Sequence, residues 1–435
     1  MIAGRNDRFS GLAALKPARR SATLPSDRPS RGLAPEVPEG SARLAEILGA
    51  SARGNRFGEH LGVRRWFSES IGCEPPEREI DPAALRLLAP EAGREARDPR
   101  QWLFLDTETT GLAGGSGTYA FLVGLAWWDA GGLEVEQLFM REHSEEHSLL
   151  VALGERMAER PVLVTFNGKS FDWPLLETRY RMTRAIRPPA PRAHLDFLHP
   201  ARNLWRLRLG SVRLAELERH VLGWNRGTDV MSELIPSMYF DFLRGGPPEP
   251  LVPIFQHNQM DLRGLAGLAT RVLAVLGDPE AHGRNALELF GVSRICERRG
   301  DAARARTLYE RSLAGELPAD TGRAAQRSLA RLAKREGDLR MARELWEKML
   351  GNSREGLEAY EQLAIYHEHR ARDPHVARAL VRRALVELGK AERRGGLVSS
   401  SAQRLSRARF ERRLARLERK MGRMLLDASQ AEATS

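Results

Sequence analysis

Apolar positions first organise the chain at Trp102. The run Trp102–Asp106 (WLFLD) suits a buried strand, and after a glycine-rich turn a second run follows, Tyr119–Trp128, then a third, Leu133–Met140. Joined by turns at Gly111–Gly117 and Asp129–Gly132, the three read as an antiparallel meander. Between Ser144 and Glu159, Leu149, Leu150, Leu153 and Met157 recur at helical spacing, and VLVTF at Val162–Phe166 reads as a fourth strand. Helical segments are predicted around Trp173–Arg184, Ser211–Leu222, Ser232–Arg244 and Asp261–Val275. Three strands, a helix, a strand and further helices predict an α/β domain over 99–277.

Beyond Gly277 the strand signal disappears and a repeat takes over. GDAARARTLYERSL begins at Gly300, GDLRMARELWEKML at Gly337 and RDPHVARALVRRAL at Arg372, so that Ala305, Ala342 and Ala377 lie 37 and 35 residues apart. Each block is accompanied by a second amphipathic stretch, such as SLARLAKRE or YEQLAIYHE, which makes the unit a helical hairpin. Period and the Gly-Asp, Ala and aromatic or leucine positions resemble tetratricopeptide repeats over 283–390, although the first-helix signature is degenerate; an ordinary helical bundle is the plainer alternative. Over 391–435 a basic capping helix and tail are predicted, with Phe410, Leu414, Leu417, Met421 and Leu425 forming the apolar stripe. Its basic face reads either as a solvated surface or as a nucleic-acid contact.

The stretch 1–58 is rich in Arg, Ala, Pro, Gly and Ser and has no sustained period, so it is expected to be mostly disordered, with one or two helical turns at Ala42–Leu48. Residues 59–98 read as a short helical lead-in, seen best at Glu79–Arg97. No window approaches the roughly 18 apolar residues of a membrane span, and the first residues lack the apolar core of a secretion signal. Cys73 and Cys296 alone cannot form a disulfide framework or a cysteine zinc site, so a cytoplasmic protein without membrane contact is expected. A formal charge of +11 suits an anionic partner such as nucleic acid, or serves solubility.

The chemistry concentrates in three places. On a strand, residues i and i+2 face the same way, so Asp106 and Glu108 in FLDTETTGL project together from the strand's C-terminal end. Such paired carboxylates are hard oxygen ligands suited to Mg²⁺ or Mn²⁺, or else solvated acids at a strand end. FNGKSFDWPLLETR offers Asn167, Lys169 and Ser170 in a turn and Asp172 at the start of a helix, where it also reads as a first-turn acid. QHNQMDLRGL sets His257 and Asp261 four apart, on one face of a helix.

In this order the acids resemble the DEDD exonuclease group of the ribonuclease H-like fold, and more closely the YprB-type ribonuclease H-like family. DTETTGL, GGSGTYAFLVGL, FNGKSFDWPLLETR, HLDFLHPARNLWRLRLGSVRLAELE and HNQMDLRGL carry the likeness, within about two fifths of the chain. The resemblance implies a ribonuclease H-like mixed sheet, an antiparallel three-stranded meander plus parallel strands with flanking helices, followed by an all-α repeat domain. It further implies a metal-dependent 3′-5′ exonuclease acting on single-stranded DNA or RNA ends, in which Asp106, Glu108, Asp172 and Asp261 hold two divalent cations, Mg²⁺ or Mn²⁺, and His257 is the base. Members of the group that use histidine usually place it five positions before the last aspartate, whereas His257 precedes Asp261 by four. That leaves base, water positioner and phosphate contact open for His257.

Around such a site Thr109, Gly111 and Leu112 would hold a terminal nucleotide, and Lys169 and Ser170 would meet phosphate. Asn167 would contact base or sugar, or serve the turn itself. His194 and Asp196 support the site or simply end a strand. Two rivals to the enzyme are a non-catalytic nucleic-acid-binding scaffold with a protein-recruiting helical repeat domain, and an adaptor whose function lies wholly in the repeats. GGSGTYA lies between two predicted strands without a following helix, which excludes a dinucleotide loop, and HSEEH at His143–His147 lacks the zinc-protease pattern.

Overall fold

A computed structural model describes residues 39–68, 79–111, 117–129, 131–227, 229–351, 354–394 and 401–433. Its strands are β1 (Ser51–Asn55), β2 (Gly58–Phe67), β3 (Trp102–Thr109), β4 (Ala120–Asp129), β5 (Gly132–Phe139), β6 (Val162–Thr165) and β7 (Ala193–Asp196). They form one sheet in the order β1-β2-β5-β4-β3-β6-β7. The meander β3–β4–β5 is antiparallel, as are β5–β2 and β2–β1, while β6 and β7 run parallel to β3. This mixed sheet with flanking helices is the ribonuclease H-like arrangement. β4 is buried along all but its last residue, which is why it reads as an unbroken apolar run.

Helices α1 (Glu39–Leu48), α2 (Pro82–Leu88), α3 (Glu146–Glu159), α4 (Asp172–Thr183), α5 (Leu198–Leu209), α6 (Leu214–Leu217), α7 (Ile235–Leu243) and α8 (Val252–Gly277) surround the sheet. Alternation along β3 assigns its two faces. Trp102 and Phe104 join Val162, Val164 and the α8 residues Leu262, Leu265 and Val272. Leu103 and Leu105 pack with Leu149 and Leu153 of α3 and Leu176 and Tyr180 of α4.

The expectation of a disordered 1–58 is corrected from residue 39 and that of a helical lead-in over 59–67, the helical turns expected at Ala42–Leu48 being found within α1. Here α1, β1 and β2 form, and β2 extends the sheet by pairing with β5. Leu61 and Val63 of β2 and Leu44 and Leu48 of α1 enter the same core, whereas β1, which has no large apolar residue, is the exposed edge. Ladder hydrogen bonds to β5 and a few apolar anchors outweigh a composition poor in strand formers. Residues 1–38 and Cys73 lie outside the described residues. The lead-in proper, Glu79–Arg97, contains α2 and a 3-10 turn at Arg94–Arg97. α5 also forms where no element is predicted, and β7 is the strand that His194 and Asp196 close.

After α9 (Pro279–His282) come the hairpins α10 (Ala286–Arg298)–α11 (Ala302–Ala314), α12 (Ala319–Glu336)–α13 (Leu339–Met349) and α14 (Arg354–His369)–α15 (Pro374–Arg394), then α16 (Ser401–Ala433). The repeated Gly-Asp is a stop-and-start device. Gly300, Gly337 and Arg372 take φ of 81°, 86° and 55°, ending one helix. Asp301, Asp338 and Asp373 then accept from the backbone N–H of Arg304, Met341 and Val376, opening the next. Ala305, Ala342 and Ala377 are fully buried where paired helices meet.

The hairpins are fused to the sheet domain. Trp205 Nε1 of α5 donates to Glu288 Oε1 of α10 at 3.0 Å. A Cβ on Gly291 would lie 2.5 Å from the Asn203 carbonyl oxygen, so α5 and α10 touch backbone to backbone. Arg304 of α11 donates to the terminal carbonyls of α8, Leu276 and Gly277, at 2.7 and 2.8 Å. One apolar core runs from Trp102 through α8 and α10 to Leu363 in α14. Among the described residues, no helix is long and apolar enough to cross a membrane.

Candidate active site

β6 pairs with Trp102–Phe104 and then stops, so β3 projects past it carrying Asp106 and Glu108 on the face that α8 covers. A register shift between Glu108 and Thr109 breaks the regular β3–β4 ladder before its last pair, Thr109 with Ala120. Opposite, α8 presents His257, Asn258 and Asp261. Asn258 Nδ2 donates to Asp106 Oδ2 at 2.8 Å, and Asn258 Oδ1 accepts from Gln137 Nε2 of β5 at 2.8 Å. Gln137 Oε1 in turn accepts from Gln259 Nε2 at 2.8 Å. Asn258 and Gln137 are fully buried, so this chain of amides fixes the Asp106 carboxylate from behind. It needs Gly124, the cross-strand partner of Asp106, because a Cβ there would overlap the Asn258 amide.

Asp172 opens α4 and accepts from Thr107 Oγ1 at 2.5 Å, which ties it to β3 between the two acids. His257 Nδ1 lies 2.7 Å from Asp229 Oδ1, while its Nε2 faces Glu108 Oε1 at 3.9 Å and Asp261 Oδ2 at 3.5 Å. The four-residue spacing on α8 thus turns histidine and aspartate to the same side.

Crowding governs the electrostatics. Burial, followed by the charges of Asp261 and Asp172, pushes the Asp106 carboxyl well above the usual range despite the Asn258 donor. Burial and the charges of Asp106, Asp261, Asp172 and Asp229 do the same to Glu108. Asp172 is pushed up to about 6, chiefly by burial, with the Thr107 hydrogen bond opposing. Asp229 goes the other way: burial works against its charge, yet the hydrogen bond and charge of His257 and the charge of Arg226 hold it below the ordinary value.

Three further residues complete the cluster. Arg226 donates to both oxygens of Glu218, to Asp229 Oδ2 at 3.3 Å and to Asp261 Oδ1. Glu218 is wholly buried at the start of a π-helical turn, Glu218–Leu222, and burial pushes it up to about 7 even with Arg226 against it. Sequence reasoning misses Glu218, Arg226 and Asp229. The first sits in an apparently amphipathic helix, where a glutamate reads as solvated, and the others lie in the non-periodic NRGTDV. Asn258 and Gln137 are missed too, since a lone amide carries no sequence signal of burial.

The turn after β6 is held by Asp196. Its oxygens accept from the backbone N–H groups of Asn167 at 2.9 Å, Lys169 at 3.0 Å and Leu198 at 3.0 Å. Asn167 has φ of 72°, a left-handed conformation that asparagine tolerates. His194 Nε2 pairs with Thr165 Oγ1 at 2.8 Å, and burial pushes its imidazole down to about 4. Lys169 Nζ is 3.1 Å from Glu91, and Ser170 is exposed with its N–H on the Asn167 carbonyl. Thr109 Oγ1 donates to the Gly111 carbonyl at 3.0 Å. Leu112 lies outside the described residues.

Among the described residues, no three His, Cys, Asp or Glu side chains close around a point that could hold an ion. The donor set nonetheless fits a divalent cation. Asp106, Glu108 and Asp172 are hard oxygen donors, and the charges of Asp261 and Asp172 add to burial in raising Asp106 and Glu108, a repulsion that a cation would relieve. Their oxygens are turned to protein donors, Asn258 on Asp106, Thr107 on Asp172, with Arg226 on Asp261.

Residues 103–273 match the RNase H superfamily, and that segment is an RNase H-like domain. A Bacillus subtilis (strain 168) protein, Uncharacterized protein YprB, is 35% identical over 184 residues. The match covers 41% of this chain and 44% of that protein, so the chain spans less than half of its relative.

Proposed function

We propose that this chain is a divalent-metal-dependent 3′-5′ exonuclease acting on single-stranded ends of DNA or RNA. The observation that carries the reading is the convergence of Asp106, Glu108, Asp172 and Asp261 beside His257, Glu108 buried and the other three acids half-buried, within an RNase H-like domain. When bound, two ions of Mg²⁺ or Mn²⁺ supply charge stabilisation to the in-line displacement at phosphorus. Asp106, Glu108, Asp172 and Asp261 hold them.

The rest of the chemistry belongs to the chain's own side chains. With Nδ1 on Asp229, His257 turns Nε2 toward Glu108 and Asp261. Nε2 takes the proton of the attacking water, and Asp229 stabilises the resulting imidazolium. Thr109, Gly111 and Leu112 grip the terminal nucleotide, Lys169 and Ser170 meet phosphate, and Asn167 contacts sugar or base. The helical hairpins are tetratricopeptide-like and recruit a protein partner, and the chain works in the cytoplasm.

A second reading, a non-catalytic nucleic-acid-binding scaffold, draws on the engagement of Asp106 and Asp261 by Asn258 and Arg226. Incubating 5′-labelled single-stranded DNA and RNA with the protein in Mn²⁺ or Mg²⁺, beside EDTA and Asp106→Ala controls, separates the two. A stepwise ladder lost in both controls is expected. Retained binding without cleavage in any metal would favour the scaffold.

A further inference from the structure

Nuclease chemistry at Asp106 does not call for an arginine inside the acid cluster, yet Arg226 is there with its side chain only 6% exposed. It is clamped rather than draped. Nε and Nη2 both meet Glu218, the second at 2.6 Å, Nη1 reaches Asp229 Oδ2 at 3.3 Å, and Nη2 also meets Asp261 Oδ1. The anchor is built from the backbone up. A π-helical turn begins at Glu218, and α8 has glycine at 264, where a Cβ would overlap Glu218 Oε1.

Asp261 is also one of the acids that would hold a cation. Arg226 holds Oδ1 of Asp261 while Oδ2 faces His257, and a guanidinium and a divalent ion cannot both claim Oδ1, so an ion that takes that oxygen exchanges with Arg226. Arg226 can leave without being stranded, because Glu218 and Asp229 remain as partners. Asp229 divides its work between Oδ1 on His257 and Oδ2 on Arg226, so the histidine keeps its orientation on either side of the exchange.

Building on the metal-dependent reading above, we infer that Arg226 is an internal counter-cation of Asp261, which an incoming divalent ion displaces onto Glu218 and Asp229. The pair holds the acid cluster together without metal and lowers its affinity for metal. It also makes loading of the site a switch between two arrangements of one arginine.

Mn²⁺ binding, read by electron paramagnetic resonance of free Mn²⁺ on the full chain without nucleic acid, tests this apart from turnover. Arg226→Met should tighten Mn²⁺ binding about tenfold, an ordinary coupling between two sites. Glu218→Gln removes the competing anchor, leaves Arg226 to lean on Asp261, and should weaken binding by a similar factor. A merely structural role would move both in the same direction. The double variant Arg226→Met/Glu218→Gln removes the buried pair together and should bind as tightly as Arg226→Met, which keeps the test decisive where a single variant fails to fold. A double variant binding no tighter than the original chain would overturn the inference and leave the metal-dependent reading intact. An original chain binding no Mn²⁺ would remove that reading and the inference with it.

Discussion

Gly264 of α8 lies directly against Glu218: a Cβ at 264 would overlap Glu218 Oε1, the oxygen that accepts from Arg226 Nη2. Gly264→Ala should therefore destabilise the protein by about 1–3 kcal/mol in urea unfolding, through overpacking at a buried ion pair. Gly422 on the exposed side of α16 has nothing within 4 Å of such a Cβ, so Gly422→Ala should instead stabilise by roughly 0.5–1 kcal/mol. Equal effects at the two sites would show that the Gly264 contact is not what it is taken to be.

Asp106→Asn keeps the shape of a side chain that is repelled by Asp261 and Asp172 while removing its charge. In EDTA its thermal midpoint should rise, and nucleotide release should fall by on the order of 10³-fold, as expected where a cation ligand is lost. Asn258→Ala, which frees Asp106 Oδ2, should cost about 10- to 100-fold in Mn²⁺ affinity or activity, as for other groups that orient a ligand.

His60 provides a pH test away from the acids. It is buried on β2, and burial pushes its imidazole down to about 4. Ser148 Oγ donates to the Gly58 carbonyl at 3.1 Å, so the His60 Nδ1–H donates to Ser148 Oγ at 2.9 Å and the ring stays neutral. The unfolded chain protonates this histidine below about 6.5 and the folded one does not until about 4. Stability present above 6.5 is thus lost as pH falls toward 4, by up to roughly 3 kcal/mol. Urea unfolding between pH 7 and 4.5 should show the loss, and His60→Gln should flatten it.

Arg372 holds a φ of 55° in the place that Gly300 and Gly337 fill in the earlier repeats. A left-handed arginine costs about 1–2 kcal/mol, partly offset by the entropy glycine would add in the unfolded chain. Arg372→Gly should then raise stability by about 0.5 kcal/mol, and Gly337→Ala should lower it by about 1 kcal/mol. Thermal melts of the two variants give the comparison.

Much of this was legible because it is local. Alternation along Trp102–Glu108 sets two acids on one strand face, and the spacing of His257 and Asp261 sets them on one helix side, without knowledge of any long-range contact. The alanine period reports helix pairing for the same reason. What stayed hidden depends on distant partners. β1 and β2 exist because β5 offers an unpaired edge, and Glu218 is buried because Gly264, far along the chain, makes room for it. The Arg226–Asp261 pair joins a loop to a helix, a relation that periodicity cannot express. Asp196, readable as a plain strand end, proves to hold the backbone of the Asn167–Lys169 turn.

At Gly291 helix α10 presses on the backbone of α5, and the apolar core crosses from the sheet into the hairpins without a break. Sheet and hairpins therefore form a jig rather than a hand on a flexible wrist. A partner held by the hairpins, as proposed above, would stand at a fixed place relative to Asp106. Reach is then set by the number of hairpins, and lengthening the connection between α8 and α10 would not extend it.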